Sequence, residues 1–176
     1  MTVRRLSGVG YCACLSQVGD WAFEFAFGLA RSHDIRLNIF LFPDPPCKEH
    51  ATRGRRGEGL LMGEREEIEL ERRARVYYDV MLGDFVNVGF RLCEGDEDPE
   101  LRRCLLIRKD YDVLVLAYEH RGCTFGERLI EEFAEHMPCP IVLVGPMRSD
   151  EVYLNTPARL WAEALGLNEG EWLPVA

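Results

Sequence analysis

Between residues 116 and 128 the chain reads LAYEHRGCTFGER, after an apolar run and before a helical pattern. Three kinds of chemistry can be tried on that stretch. The first is a phosphate cradle, which needs glycines so that backbone N–H groups approach an anion, and a helix N-terminus left free. Only Gly122 and Gly126 are present, and Thr124-Phe125-Gly126-Glu127 reads instead as a Thr-x-x-Glu capping box. Such a box uses the N–H groups a phosphate would take and sets a carboxylate beside them. A like charge at ~4 Å costs on the order of 1 to 4 kcal/mol. Arg121 and Arg128 work against that penalty. The second is a thiolate nucleophile with an arginine clamp, Cys123 with Arg128, but four residues separate them where that chemistry uses five. The third is acid-base work by His120, at the edge where ligands bind; a solvated loop histidine is the simpler reading. SQVGD, 16–20, matches neither a Ser-Gly-Gly-x-Asp-Ser loop nor a His-x-Gly-His motif. No general acid-base pair, activated nucleophile or metal cluster emerges, so no catalytic and no metal-ligating residue is assigned.

Composition narrows the class. The chain has 176 residues, 47% hydrophobic and 29% charged, with net charge −9. That suits one globular domain with a tail. It argues against nucleic acid and anionic membrane as partners, both of which select positive surfaces. No apolar run reaches the ~18 residues of a membrane span, and a cytoplasmic location is expected. The seven cysteines (12, 14, 47, 93, 104, 123 and 139) include no CxxC and read as buried, reduced side chains. Cys12 and Cys14 fall on one side of a strand by alternation.

The elements that position the loop alternate. Residues 9–15 read as a strand, 21–33 as a helix capped by Asp20, and 35–42 as a strand with apolar residues at every second position. A Pro/Gly-rich loop follows, with Arg53, Arg55 and Arg56. Then come a helix over 63–82 stopped by Gly83, a strand over 85–93, and a helix opened by Asp98-Pro99. A strand over 112–117, a helix over 125–136 and a last strand after Pro138-Cys139-Pro140 complete the pattern. Strands separated by crossover helices imply a parallel sheet covered on both faces, with ligands beyond the strands' carboxyl ends. In the tail, Thr156 caps, Pro157 opens and Gly166 ends a short helix bearing Trp161.

GLARSHDIRLNIFLF, FRLCEGDEDPELRRCLLIRKDYDVLVLA and ERLIEEFAEHMPCPIVLVG resemble, in order and spacing, the universal stress protein family. The helix ending in His136 and followed by MPCP is the most specific echo, and the likeness spans 9–146. It implies an α/β fold with a five-stranded parallel sheet ordered 3-2-1-4-5, a domain over 1–147 and an extension over 148–176. It further implies homodimerisation through the final strand, with Ile141 and Leu143, and stress-related roles that are mostly not enzymatic. Some members bind ATP with an aspartate ending the first strand and a loop of Gly, two residues, Gly, nine residues, Gly and Ser or Thr. Here the aspartate falls at Cys14 to Ser16, where no acid stands. The three glycines fall on Ala117, His120 and Glu127, the hydroxyl on Arg128, and the loop is about three residues short.

The expectation is a non-catalytic regulatory protein with a degenerate nucleotide site, working as a homodimer and through protein partners, with no cofactor. The alternative is a member binding ATP or AMP through Leu15, Ser16, Ala117, His120, Gly122, Thr124, Gly126 and Arg128. A further interface is expected on the first helix, whose apolar residues cover about two-thirds of its circumference, more than one buried face needs. Phe23 and Phe27 are its aromatic centre, and Trp161 of the tail is expected to cover it in this chain or in a partner.

Overall fold

The computed structural model describes residues 5–43 and 63–175. The stretch 44–62, with Cys47, His50, Arg53, Arg55 and Arg56, lies outside them. Nine strands and five helices are described: β1 (Gly8–Cys12), α1 (Gln17–His33), β2 (Arg36–Leu41), α2 (Glu64–Leu82), β3 (Val88–Leu92), α3 (Glu97–Leu106), β4 (Val113–Ala117), β5 (Thr124–Phe125), β6 (Arg128–Leu129), α4 (Ile130–His136), β7 (Ile141–Val144), β8 (Val152–Leu154), α5 (Thr156–Arg159) and β9 (Leu173–Pro174).

Alternation along the strands divides the interior into two layers. On β4, Val113, Val115 and Ala117 face α1 and α2, and Leu114 and Leu116 face α3 and α4. Phe23 of α1 is fully buried, edge-on to Tyr11 at 5.6 Å and tilted on Tyr78 of α2 at 4.8 Å. Phe27, 8% exposed, meets Phe85 at 5.3 Å. The wide apolar surface of α1 is thus spent inside the chain: α2 and Phe85 cover the rings proposed as an interface.

The main sheet runs β3-β2-β1-β4-β7-β8-β9. Its first five strands are parallel and match the expected order. The tail adds two more: β8 runs antiparallel to β7, and β9 parallel to β8. The extension is therefore part of the sheet, and β7 has no free edge for strand pairing with a second chain. Ile141 and Leu143 are fully buried.

Helix α3 opens at Glu97 on Asp96, two residues before the expected Asp98 and without a side-chain cap bond, and two other caps differ from expectation for one reason, the reach of a side chain back to a free N–H. Ser16, not Asp20, caps α1, accepting from Gly19 N at 2.9 Å. Asn155, not Thr156, caps α5. That helix ends at Arg159, and a series of turns carries the chain on to Gly166. Trp161 is half-buried against the α1-side core, and Ala164 O lies 2.8 Å from His33 Nε2 of α1. The tail thus docks on its own domain.

Candidate functional site

The parallel strands end together where β1 and β4, neighbours whose crossovers leave in opposite directions, open the crevice such sheets offer to ligands. Two turns build its floor, 13–16 after β1 and 118–123 after β4. The first is held from below by a buried hydroxyl pair. Tyr11 Oη donates to Gly19 O at 2.9 Å, lies 3.0 Å from Tyr78 Oη, and takes the Cys14 N–H at 3.3 Å. Burial pushes both phenols up, so they remain neutral donors. The start of α1 comes so near this turn that a Cβ on Gly19 would lie 1.8 Å from Cys14 O, which demands glycine there.

Across the crevice stands Glu119, two residues past β4. Its Oε1 accepts a short hydrogen bond from Ser16 Oγ and a second, at 3.1 Å, from Cys14 Sγ. A carboxylate thus joins the ends of β1 and β4, and the Ser16 hydroxyl is used twice, toward Glu119 and toward Gly19 N. Burial, with help from the Glu119 bond and charge and against the Ser16 bond, pushes the Cys14 thiol up to about 12. Cys14 is a proton donor here and a poor nucleophile. Alternation placed it beside Cys12, but β1 ends at Cys12. Cys12 packs on the α3–α4 side and Cys14 against the other layer.

The loop after β4 is organised by a second carboxylate. Glu131 Oε1 accepts from Gly122 N at 2.7 Å and from Tyr118 Oη at 2.7 Å. Burial tends to raise this carboxyl, and these two donors, with its own backbone N–H and the Arg121 charge, outweigh it, so it sits below the ordinary carboxylate range. The Thr-x-x-Glu capping box is not formed. Thr124-Phe125 and Arg128-Leu129 are the two arms of a short antiparallel hairpin, and α4 begins only at Ile130. Phe125 is 2% exposed and stacks on Phe133 at 4.4 Å between centroids; burying that ring draws 124–125 into the core instead of a helical turn.

The residues expected to line a nucleotide separate accordingly. Ser16 and Ala117 lie at the crevice, and Leu15 stands beside them, 68% exposed. His120 is exposed, its Nδ1 3.1 Å from Arg121 O. Gly122 faces Glu131. Thr124 is buried, and Gly126 packs so closely on α3 that a Cβ would lie 2.8 Å from Glu97 Oε2. Arg128 turns to Asp98, 3.7 Å away, which also meets His136 at 3.3 Å. The hairpin thus ties Gly126 and Arg128 to α3. Glu119 and Glu131, the residues that organise the crevice, carry no spacing signal. Each becomes visible only when a turn folds back over several residues. Among the described residues, no group of three or more His, Cys, Asp or Glu is placed to hold a metal ion, and no helix is long and apolar enough to cross a membrane.

No family model and no curated protein matches the chain. Solved structures do. The universal stress protein UspA from Lactobacillus plantarum is 17% identical, with a TM-score of 0.56, covering 81% of this chain and 99% of that one. A universal stress protein family member from Burkholderia pseudomallei is 20% identical, with a TM-score of 0.46 over 80% of this chain and 96% of that one. A universal stress protein in complex with cAMP is 19% identical, with a TM-score of 0.40 over 64% and 76%. The α/β fold of this chain is the universal-stress-protein fold, extended by two strands.

Proposed function

We propose that the chain is a non-catalytic regulatory protein of the stress-response kind its fold suggests, with a nucleotide crevice closed by its own carboxylates. It acts through protein surfaces. The observation that carries this reading is Glu119, whose carboxylate joins Cys14 and Ser16 across the sheet's switch point. A phosphate placed there would meet a like charge and find the nearby donors in use: Gly19 N on Ser16, Gly122 N on Glu131. Binding would require breaking charge-assisted hydrogen bonds, each worth about 1.5–3 kcal/mol.

Calorimetry of the full chain with Mg-ATP and with AMP tests the reading. No heat of binding is expected up to millimolar ligand. Saturable heat at micromolar concentration would overturn it and support the rival, a nucleotide sensor working through the altered loop at 117–128.

A further inference from the structure

The extension does more than lengthen the sheet: with α1 it walls a cleft. The cleft, of about 570 Å³, opens between α1, the turn leading into β8 and the turn leading into β9. That volume lies within the ~300–1,000 Å³ of small-molecule sites. Its floor is apolar and carries two rings. Phe25 of α1, Val152 of β8, and Leu167 and Trp172 of the tail line it and rest on the α1-side core. The pairing of β8 with β9, Tyr153 opposite Leu173, brings Trp172 alongside Val152.

The rim is acidic. Asp150, Glu151 and Glu171 stand there with a single cation, Arg148. Arg148 pairs with Asp150 at 3.5 Å, so the charges of Glu151 and Glu171 are in excess. Both of these carboxylates are held in place. Glu151 accepts from Met147 N at 3.1 Å and from Tyr153 Oη at 2.7 Å, and Glu171 accepts from Asn168 N at 2.9 Å. Charge fixed before a ligand arrives lowers the ordering cost of binding. An anion is repelled here, both by the rim and by the chain's net charge of −9. A cation on an apolar body matches both halves of the cleft. The carboxylates offset its charge, and aromatic rings attract an ammonium, tryptophan most strongly.

We propose that this cleft binds a small organic cation, an ammonium carried on an apolar or aromatic body. It shares no lining residue with the crevice between β1 and β4 and stands independently of the reading of that site.

Titration of the full chain with benzyltrimethylammonium, followed by the indole ¹H–¹⁵N resonances of its three tryptophans, tests the proposal. Loss of one signal in Trp172→Phe identifies the Trp172 resonance. That resonance should move and saturate with a Kd of about 1 mM or tighter. Trp21, which does not line the cleft, should stay fixed. Benzyl alcohol, a ring without charge, and benzoate, a ring with the opposite charge, should bind about tenfold more weakly or not at all. Glu171→Gln keeps an acceptor for Asn168 N and should weaken the cation about threefold; Arg148→Glu should tighten it by a similar factor. A Trp172 resonance unmoved up to about 20 mM cation would overturn the proposal. So would equal affinity for benzyl alcohol, or a cation affinity indifferent to both rim variants.

Discussion

Asn155 is the point at which the tail is fastened, and its removal should cost more than that of any surface residue in the tail. The side chain is fully buried and saturated. Its Oδ1 accepts from Ile141 N at 2.9 Å and Ala158 N at 3.0 Å, and its Nδ2 donates to Ala134 O at 2.7 Å and Cys139 O at 2.9 Å. One amide thus joins the start of β7, the end of α4 and the cap of α5. Asn155→Ala leaves two N–H groups and two carbonyls buried without this partner. At roughly 1–3 kcal/mol for each unsatisfied group, with local relaxation recovering part, the loss should be about 3–5 kcal/mol. That is a large share of a typical ~5–15 kcal/mol total. At this chain length it corresponds to a fall in Tm of about 8–15 °C. Thr156→Ala is the control: Thr156 is exposed and bonds only the Glu135 carboxylate, so it should cost under about 1 kcal/mol. Urea unfolding of the three proteins measures the difference. An Asn155→Ala loss below about 1 kcal/mol, or one equal to that of Thr156→Ala, would refute the view that the extension is built into the sheet through this residue.

Two further outcomes follow from the crevice. The Glu131 carboxyl is held below its ordinary value of 4.5, so the stability it contributes is present above that pH and is lost as pH falls through the lower folded value. Glu131→Gln should flatten the decline of the urea midpoint below about pH 4.5, and parallel native and variant curves would contradict this. Cys14, raised from 9.0 to about 12, should be alkylated by iodoacetamide at pH 8 on the order of a thousandfold more slowly than in the unfolded chain. Glu119→Gln should speed the reaction, because the carboxylate's hydrogen bond and charge both hold the thiol protonated. Site-resolved mass spectrometry reads the rates, and an unchanged Cys14 rate in the variant would count against the Glu119 contact.

The parts of the fold that could be read from sequence are those whose pattern repeats over several residues. The alternation from Ile35 to Leu41, the helical spacing of Leu70, Ala74 and Met81, and the apolar run at 112–117 each specify an element locally. β8 and β9 have three residues and two, too few for any period, and their pairing is decided by docking of the tail. The Thr-x-x-Glu spacing at 124–127 fits a capping box and a tight hairpin equally. Packing of Phe125 on Phe133, remote in neither sequence nor space but invisible to spacing, selects the hairpin. The site followed the same rule. The spacing points to Glu127 as a capping carboxylate reaching back to Thr124, in a helix-start pattern. In the structure the carboxylate that meets a loop N–H is Glu131, which reaches Gly122 only because the hairpin brings α4 back beneath the loop. Asn155 had a legible signal in Asn-Thr-Pro, where an amide can cap a helix opened by proline. Both Asn155 and Thr156 fit that pattern, and burial decides between them.

The central claim is that Glu119 and Glu131 occupy the place of a nucleotide's phosphates. Its most direct test is the backbone amide of Gly122, followed by ¹H–¹⁵N correlation spectra during a titration with Mg-ATP. In the native protein that resonance should stay fixed up to millimolar ligand; in a Glu119→Gln/Glu131→Gln variant it should move. A native Gly122 amide that shifts and saturates at micromolar Mg-ATP would mean that the nucleotide displaces the carboxylate, and the crevice is an open binding site.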